Sequence, residues 1–166
     1  MTTTDTSSAP VLPAHRLSFA KHAPQVYRAI AAFERSIELD HHLFEMVKLR
    51  ASILNGCSYC VDMHTTDLLE AGEDPRWVAS IAAWHHAAFY TERERAALAF
   101  TDAVTRLGDE GVPDDVWDEA VAQFPDDELA QLLSAVLAIN VWNRLAVTLH
   151  TLPEDIAKAN RSPGPS

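Results

Sequence analysis

Residues 41–64 read HHLFEMVKLRASILNGCSYCVDMH. Within 41–54, Leu43, Phe44, Met46, Val47, Leu49, Ala51, Ile53 and Leu54 leave no wholly polar face, so a helix there is expected to be buried on most sides. Asn55-Gly56 follows, a pair that tolerates the left-handed backbone of a helix C-cap. A second helix is then expected to start at or near Cys57 and run to about Ala71, where Gly72 stops it. The element preceding the cysteines is therefore a helix. Thioredoxin-type Cys-x-x-Cys pairs sit in a strand-turn-helix setting, and that fold is a poor match.

Helical spacing extends outward in both directions from this break. A helix is expected over about 24–38, entered through Pro24, with Val26, Ile30, Phe33 and Ile37 on one stripe. Asp74-Pro75 opens another to about Ala88, because Asp caps free amides and Pro fits a first turn. Thr91 and Glu94 have the capping-box spacing and lead a helix to about Leu107. Helices over 112–124 and about 126–149, then a short one after Pro153, complete the set. No apolar-polar alternation persists long enough for a sheet, and no internal repeat is present. The expected fold is all-α and bundle-like, with about seven or eight helices. A chain of 166 residues suits one domain. It is expected over 14–160, between weakly ordered tails at 1–13 and 161–166 that are small, polar and proline-punctuated.

Twenty-four acidic residues against 13 basic ones give a net charge of −11, a field that repels phosphate backbones and anionic lipid. Neither nucleic acid nor a membrane surface is expected as a partner. The opening MTTTDTSSAPVLPAH has no basic n-region and no apolar h-region, and no later stretch holds about 18 apolar residues without a charge. The expected location is the cytoplasm. In that reducing compartment a close cysteine pair is more often catalytic or metal-binding than a structural bridge.

Cys57 and Cys60 are the chain's only cysteines. At about 100° per residue, Cys60 lies roughly 60° around the helix from Cys57, and His64 only about 20° from it. Val61 and Leu68 extend this stripe while Asp62, Thr66 and Glu70 point elsewhere, so the cysteine face is expected to be inward. In a first turn, Cys57 would gain thiolate stabilisation from free amides and the helix dipole, and His64 could accept the thiol proton. A thiolate attacks peroxide or disulfide sulfur, and a cysteine three residues away can close a disulfide on the oxidised sulfur.

Two other readings stand beside redox chemistry. The thiols could simply pack a helix core. Zinc could take Cys57, Cys60 and His64, although the chain has no second cysteine pair, and the doublets His41-His42 and His85-His86 point about 100° apart. Glu45, on the nearly all-apolar helix, needs a reason of its own. Either it pairs with Lys48 one turn on, or it is a base whose pKa burial raises, relaying a proton to the Cys57/His64 cluster. Asn140, Trp142 and Asn143 read as hydrogen bonding between helices, and Trp84, beside His85 and His86, as core packing.

Glu45, Cys57, Cys60 and His64, in the spacing E-x11-C-x2-C-x3-H, resemble the active-site pattern of the alkylhydroperoxidase AhpD family, within the carboxymuconolactone decarboxylase superfamily. FYTERERAALAFTDAVTRL and INVWNRLAV extend the resemblance, which covers about residues 40–149. It implies an AhpD-like all-α fold and a peroxidase that reduces organic hydroperoxides or hydrogen peroxide through a Cys57/Cys60 disulfide cycle. No metal, flavin or other bound cofactor is implied. The reductant would be an external dithiol such as a dihydrolipoyl group on a partner protein, and the assembly a homo-oligomer, trimer or hexamer. By the resemblance Cys60 is the attacking sulfur, Cys57 its resolver, His64 the relay histidine and Glu45 its acid. Helix position alone favours Cys57 as the attacker. The best-known members place a histidine just before the second cysteine, where this chain has Tyr59. The alternatives are a decarboxylase or lactone-processing enzyme of the superfamily, and a redox-sensing oligomer without catalysis.

Overall fold

The computed structural model describes residues 14–153. They form α1 (Phe19–His22), α2 (Pro24–Arg35), α3 (His41–Asn55), α4 (Ser58–Glu70), α5 (Pro75–Ser80), a 3-10 segment (Ile81–His86), α6 (Glu92–Thr105), α7 (Asp114–Gln123) and α8 (Asp126–Leu149). The fold is all-α, with no strand among the described residues. The expected tails at 1–13 and 161–166, and the short helix after Pro153, lie outside them.

Helix α3 is the centre of the packing and touches α4, α6, α8 and the 3-10 segment. The Asp40 side chain caps its start by accepting from the Leu43 amide at 3.2 Å. Gly56 ends it at φ 65°, a left-handed conformation open to glycine without steric cost. Leu43, Met46, Val47, Leu49 and Ala51 are buried on it, and with Leu68, Leu98, Phe100, Phe124, Leu132 and Val136 they make the core. Burial on most sides, as expected for 41–54, extends to the polar residues Glu45, Lys48, Arg50 and Ser52.

Partners for those polar groups explain two departures from the expected elements. The helix expected over 74–88 is α-helical only to Ser80, then tightens to 3-10 and kinks at Ala83 (φ −126°, ψ 34°). Arg50 Nη1 donates to the carbonyls of Ile81 and Ala82 at 3.2 and 3.1 Å, and Arg95 donates to those of Trp84, His85 and Ala87. Carbonyls that a regular helix would use internally are satisfied by tertiary guanidinium groups instead. Asn55 is the second departure: Gly56 is the cap, and the Asn55 amide donates to Asn140 Oδ1 at 3.0 Å and Asn143 Oδ1 at 2.9 Å on α8. Asn143 in turn donates to Ser52 Oγ, and Asn140 to Thr105 Oγ1. The two asparagines of α8 thus bond between helices, as their sequence context suggested.

Helix α2 ends at Arg35, short of the expected 38, and buries none of its residues. Its stripe exists, but Val26 is 53% and Phe33 38% exposed, because among the described residues the α2 backbone comes close only to α1 and α8. By length and composition α8 is the one helix among the described residues apolar enough to cross a membrane. In this fold it supplies Leu129, Leu132, Ala135, Val136 and Ile139 to the buried interior.

His42 ties three segments together. Its Nδ1 faces Glu73 Oε1 at 2.6 Å, its Nε2 faces Glu94 Oε1 at 2.8 Å, and its ring lies 4.7 Å from that of Trp77. Two carboxylates can only accept, so both ring nitrogens donate and the ring is an imidazolium. Burial works against that charge, but the bonds from Glu94 and Glu73 outweigh it and raise the His42 pKa above 6.5. The Glu94 carboxyl, pushed up by burial, is held below 4.5 by its bonds with Thr91 and His42. A raised histidine stabilises the fold fully below its unfolded value and loses that contribution as pH rises through its folded value. His42→Gln is therefore expected to cost roughly 1 kcal/mol in urea unfolding near pH 6, with the deficit shrinking toward alkaline pH.

Candidate active site

Helix α4 begins at Ser58, and Cys57 is its N-cap residue (φ −85°, ψ 94°), with Sγ accepting from the Cys60 amide at 3.3 Å. Cys57 therefore precedes the first turn in which it was expected. Cys57 and Cys60 are joined in a disulfide with Cα atoms 5.4 Å apart. Both are 1% exposed and pack with Ala51 of α3 and Ile139 of α8. The inward cysteine stripe is thus realised.

One turn beyond Cys60, His64 is also 1% exposed. Its Nδ1 lies 2.6 Å from Glu45 Oε2 across the α3–α4 contact. The carboxylate accepts, so Nδ1 carries the proton, and a neutral ring then offers Nε2 as a base. Nε2 is buried and has no hydrogen-bond partner among the described residues. Buried polar atoms are rarely left so, and those that are tend to mark chemistry.

Both sequence readings of Glu45 find a partner, at unequal distance. His64 is hydrogen-bonded, whereas Lys48 Nζ stands 4.0 Å from Glu45 Oε1. The expected direction of the Glu45 pKa is reversed. Burial does push the carboxyl up, but the His64 hydrogen bond and the charges of His64, Lys48 and His41 outweigh it and hold the group below its ordinary 4.5. Glu45 is thus an anchored carboxylate that orients the imidazole. Asp67 joins from the next turn of α4: one ligand-type atom each from Glu45, His64 and Asp67 lie within 4.8 Å of one another.

Lys48 makes its short contact elsewhere. Nζ donates to Glu34 Oε1 on α2 at 2.6 Å, and Glu34 Oε2 accepts from Trp142 Nε1 on α8 at 3.0 Å. A cavity of about 360 Å³ opens beside this chain of groups, lined by Tyr59, Cys60, Met63 and His64 from α4, Tyr27 and Glu34 from α2, and Ile139, Trp142 and Leu145 from α8. Cys57 is not among its lining residues. Leu17, Ser18 and Phe19 close another wall, and that segment is tied to α8 by Arg16, which donates from its amide to Leu149 O and from Nη1 to Thr148 O, both at 3.0 Å. Trp142, read from sequence as an inter-helix bond, both makes that bond and faces the cavity. Trp84 is in the core, with Nε1 3.3 Å from Asp102 Oδ2, and it lies outside the cavity together with His85 and His86.

Glu34 and Tyr27 escaped the sequence reading. Each sits on a helix with the pattern of an ordinary surface element, and only Pro24 and the apolar stripe of α2 gave a signal.

The chain is similar to several known proteins. The model of the carboxymuconolactone decarboxylase family matches residues 24–103, which include Glu34, Glu45, Lys48, both cysteines and His64. A crystal structure from Agrobacterium tumefaciens, of a protein of unknown function provisionally described as the antioxidant defence protein AhpD, is 38% identical; the match covers 84% of this chain and 98% of that one, with a TM-score of 0.82. The uncharacterised protein YdfG of Bacillus subtilis (strain 168) is 28% identical over 137 residues, 81% of this chain and 93% of its own length. The debrominase Bmp8 is 18% identical with a TM-score of 0.70, over 82% of this chain and 75% of its own, a likeness of fold alone.

Cys60 borders the cavity and Cys57 does not. In the reduced protein, iodoacetamide is expected to modify Cys60 before Cys57, as read by peptide mass. Modification of Cys57 first would mean that the sulfurs are reached from another side.

Proposed function

The chain belongs to the carboxymuconolactone decarboxylase family, on its AhpD-like side, and from that premise we propose that it is a thiol-dependent peroxidase acting on organic hydroperoxides or hydrogen peroxide. The observation that carries this reading is a redox-capable pair, Cys57 and Cys60, whose second sulfur borders a largely apolar cavity beside a buried His64–Glu45 hydrogen bond.

In the proposed cycle His64 Nε2 takes the Cys60 thiol proton, with Glu45 holding the resulting imidazolium. The Cys60 thiolate attacks the terminal peroxide oxygen, the O–O bond breaks, and the departing alkoxide leaves as an alcohol after taking the proton back from His64. Sulfur is oxidised to a sulfenic acid and the peroxide is reduced. The Cys57 thiol then condenses with the sulfenic acid, releasing water and forming the disulfide. An external dithiol, a dihydrolipoyl group on a partner protein in this reading, exchanges with that disulfide and restores both thiols. The cycle needs no bound metal, flavin or other cofactor, and it suits the reducing cytoplasm.

Exposed apolar side chains on α2 and α8, among them Val26, Phe33, Leu137 and Val141, support assembly as a homo-oligomer, trimer or hexamer. Tyr59 borders the cavity where a histidine would add a proton carrier, so turnover is expected to be slow for a peroxidase of this kind.

Peroxide consumption with a dihydrolipoyl reductant tests the reading. Cys60→Ser and Cys57→Ser are expected to abolish turnover, and Glu45→Gln to lower it by about 10²-fold. If both serine variants keep wild-type turnover, the peroxidase reading fails. A decarboxylase or lactone-processing activity would survive Cys57→Ser. A sensor would oxidise fully without turnover and change its oligomeric state.

A further inference from the structure

We infer that Lys48, clamped by Glu34, is a positioning residue that sets the local charge around Glu45 and His64 and thereby the thiolate content of Cys60. The inference rests on the dithiol reading of the site, not on which oxidant it meets.

Lys48 lies on the central helix with its side chain only 6% exposed. An ammonium so placed persists where carboxylates answer it, because an unpaired buried charge is strongly destabilising. Two do so from different elements: Glu34 on α2 at 2.6 Å, and Glu45 on its own helix at 4.0 Å. Glu34 is itself held, since its second oxygen accepts from Trp142 Nε1. The ammonium also lies 4.3 Å from the centre of the Phe44 ring. Three contacts from two helices, with Glu34 itself held from a third, thus fix where this positive charge stands.

Charge balance gives the lysine its role. Glu34, Glu45 and Asp67 bring negative charge to the region, and Lys48 brings positive charge, with His64 and His41 adding more when protonated. Glu34 borders the same cavity as Cys60 and His64, so the cluster meets the reacting sulfur's compartment directly. Without Lys48, Glu34 and Glu45 lose the fixed cation they share, and their field opposes a thiolate at Cys60. Without the Glu34 charge, the ammonium is left to Glu45 and the field favours the thiolate. The two substitutions must therefore act in opposite directions. A packing role alone gives no such sign.

The test uses the reduced full-length chain and iodoacetamide as probe, with the rate of Cys60 alkylation followed from about pH 5 to pH 10 by peptide mass. It needs no peroxide turnover. In Lys48→Met the midpoint of the alkylation profile is expected to move up by about half a pH unit or more, in Lys48→Arg to stay near wild type, and in Glu34→Gln to move down. Shifts of the same sign in Lys48→Met and Glu34→Gln, or unmoved profiles in both, overturn the inference. If Lys48→Met does not fold, Glu34→Gln decides: a downward shift supports the inference, and an upward or absent shift overturns it. Opposite shifts in a protein that consumes no peroxide would leave Lys48's role standing while the peroxidase reading falls.

Discussion

Glu45, Lys48 and Arg50 sit within two turns of the most buried helix, and leaving any one unpaired would cost about 3–5 kcal/mol, a large part of a domain's stability. Each partner comes from a different element. Glu45 takes His64 from α4, Lys48 takes Glu34 from α2, and Arg50 takes Asp102 from α6 with a bidentate grip at 2.6 and 2.7 Å. The need to satisfy α3 therefore places the elements around it. It also explains why the 3-10 segment departs from a regular helix, since Arg50 claims two of its carbonyls.

The candidate site follows from the same constraint. Pairing Glu45 with His64 locks the imidazole by one nitrogen and leaves the other facing no partner among the described residues. Pairing Lys48 with Glu34 brings α2 and Trp142 to the rim of the cavity that Cys60 borders. Glu34, His64 and Trp142, which help to hold the helices together, thus also line the cavity that Cys60 borders. Stability and reactivity are coupled here because charges too costly to leave unpaired are arranged next to a group whose reactivity depends on charge.

Helix punctuation was legible from local chemistry. Asp74-Pro75, the Thr91/Glu94 capping box and Gly56 act within one turn of themselves, so their signals survive in the chain alone. The Cys57, Cys60 and His64 stripe was legible for the same reason, since residues three and four apart share a helix face whatever surrounds them. Glu45 stood out because an acid on an apolar helix demands a partner. Which partner, and hence the direction of its pKa, was not legible, because His64 is brought to it by the packing of two helices and not by neighbourhood in the chain.

The sequence by itself determined that the chain is helical, where most helices start or stop, and that two thiols and a histidine lie on one inward stripe. These are consequences of backbone geometry and periodicity, which act over a few residues. Only the tertiary structure decided that Cys60 rather than Cys57 borders the cavity, that Glu45 is held as an anion, and that Glu34 and Trp142 belong to the site. Those outcomes depend on which helices meet. Glu34 and Trp142 lie 108 positions apart in the chain and 3.0 Å apart in space, a contact made by the packing of α2 on α8 that no local pattern encodes.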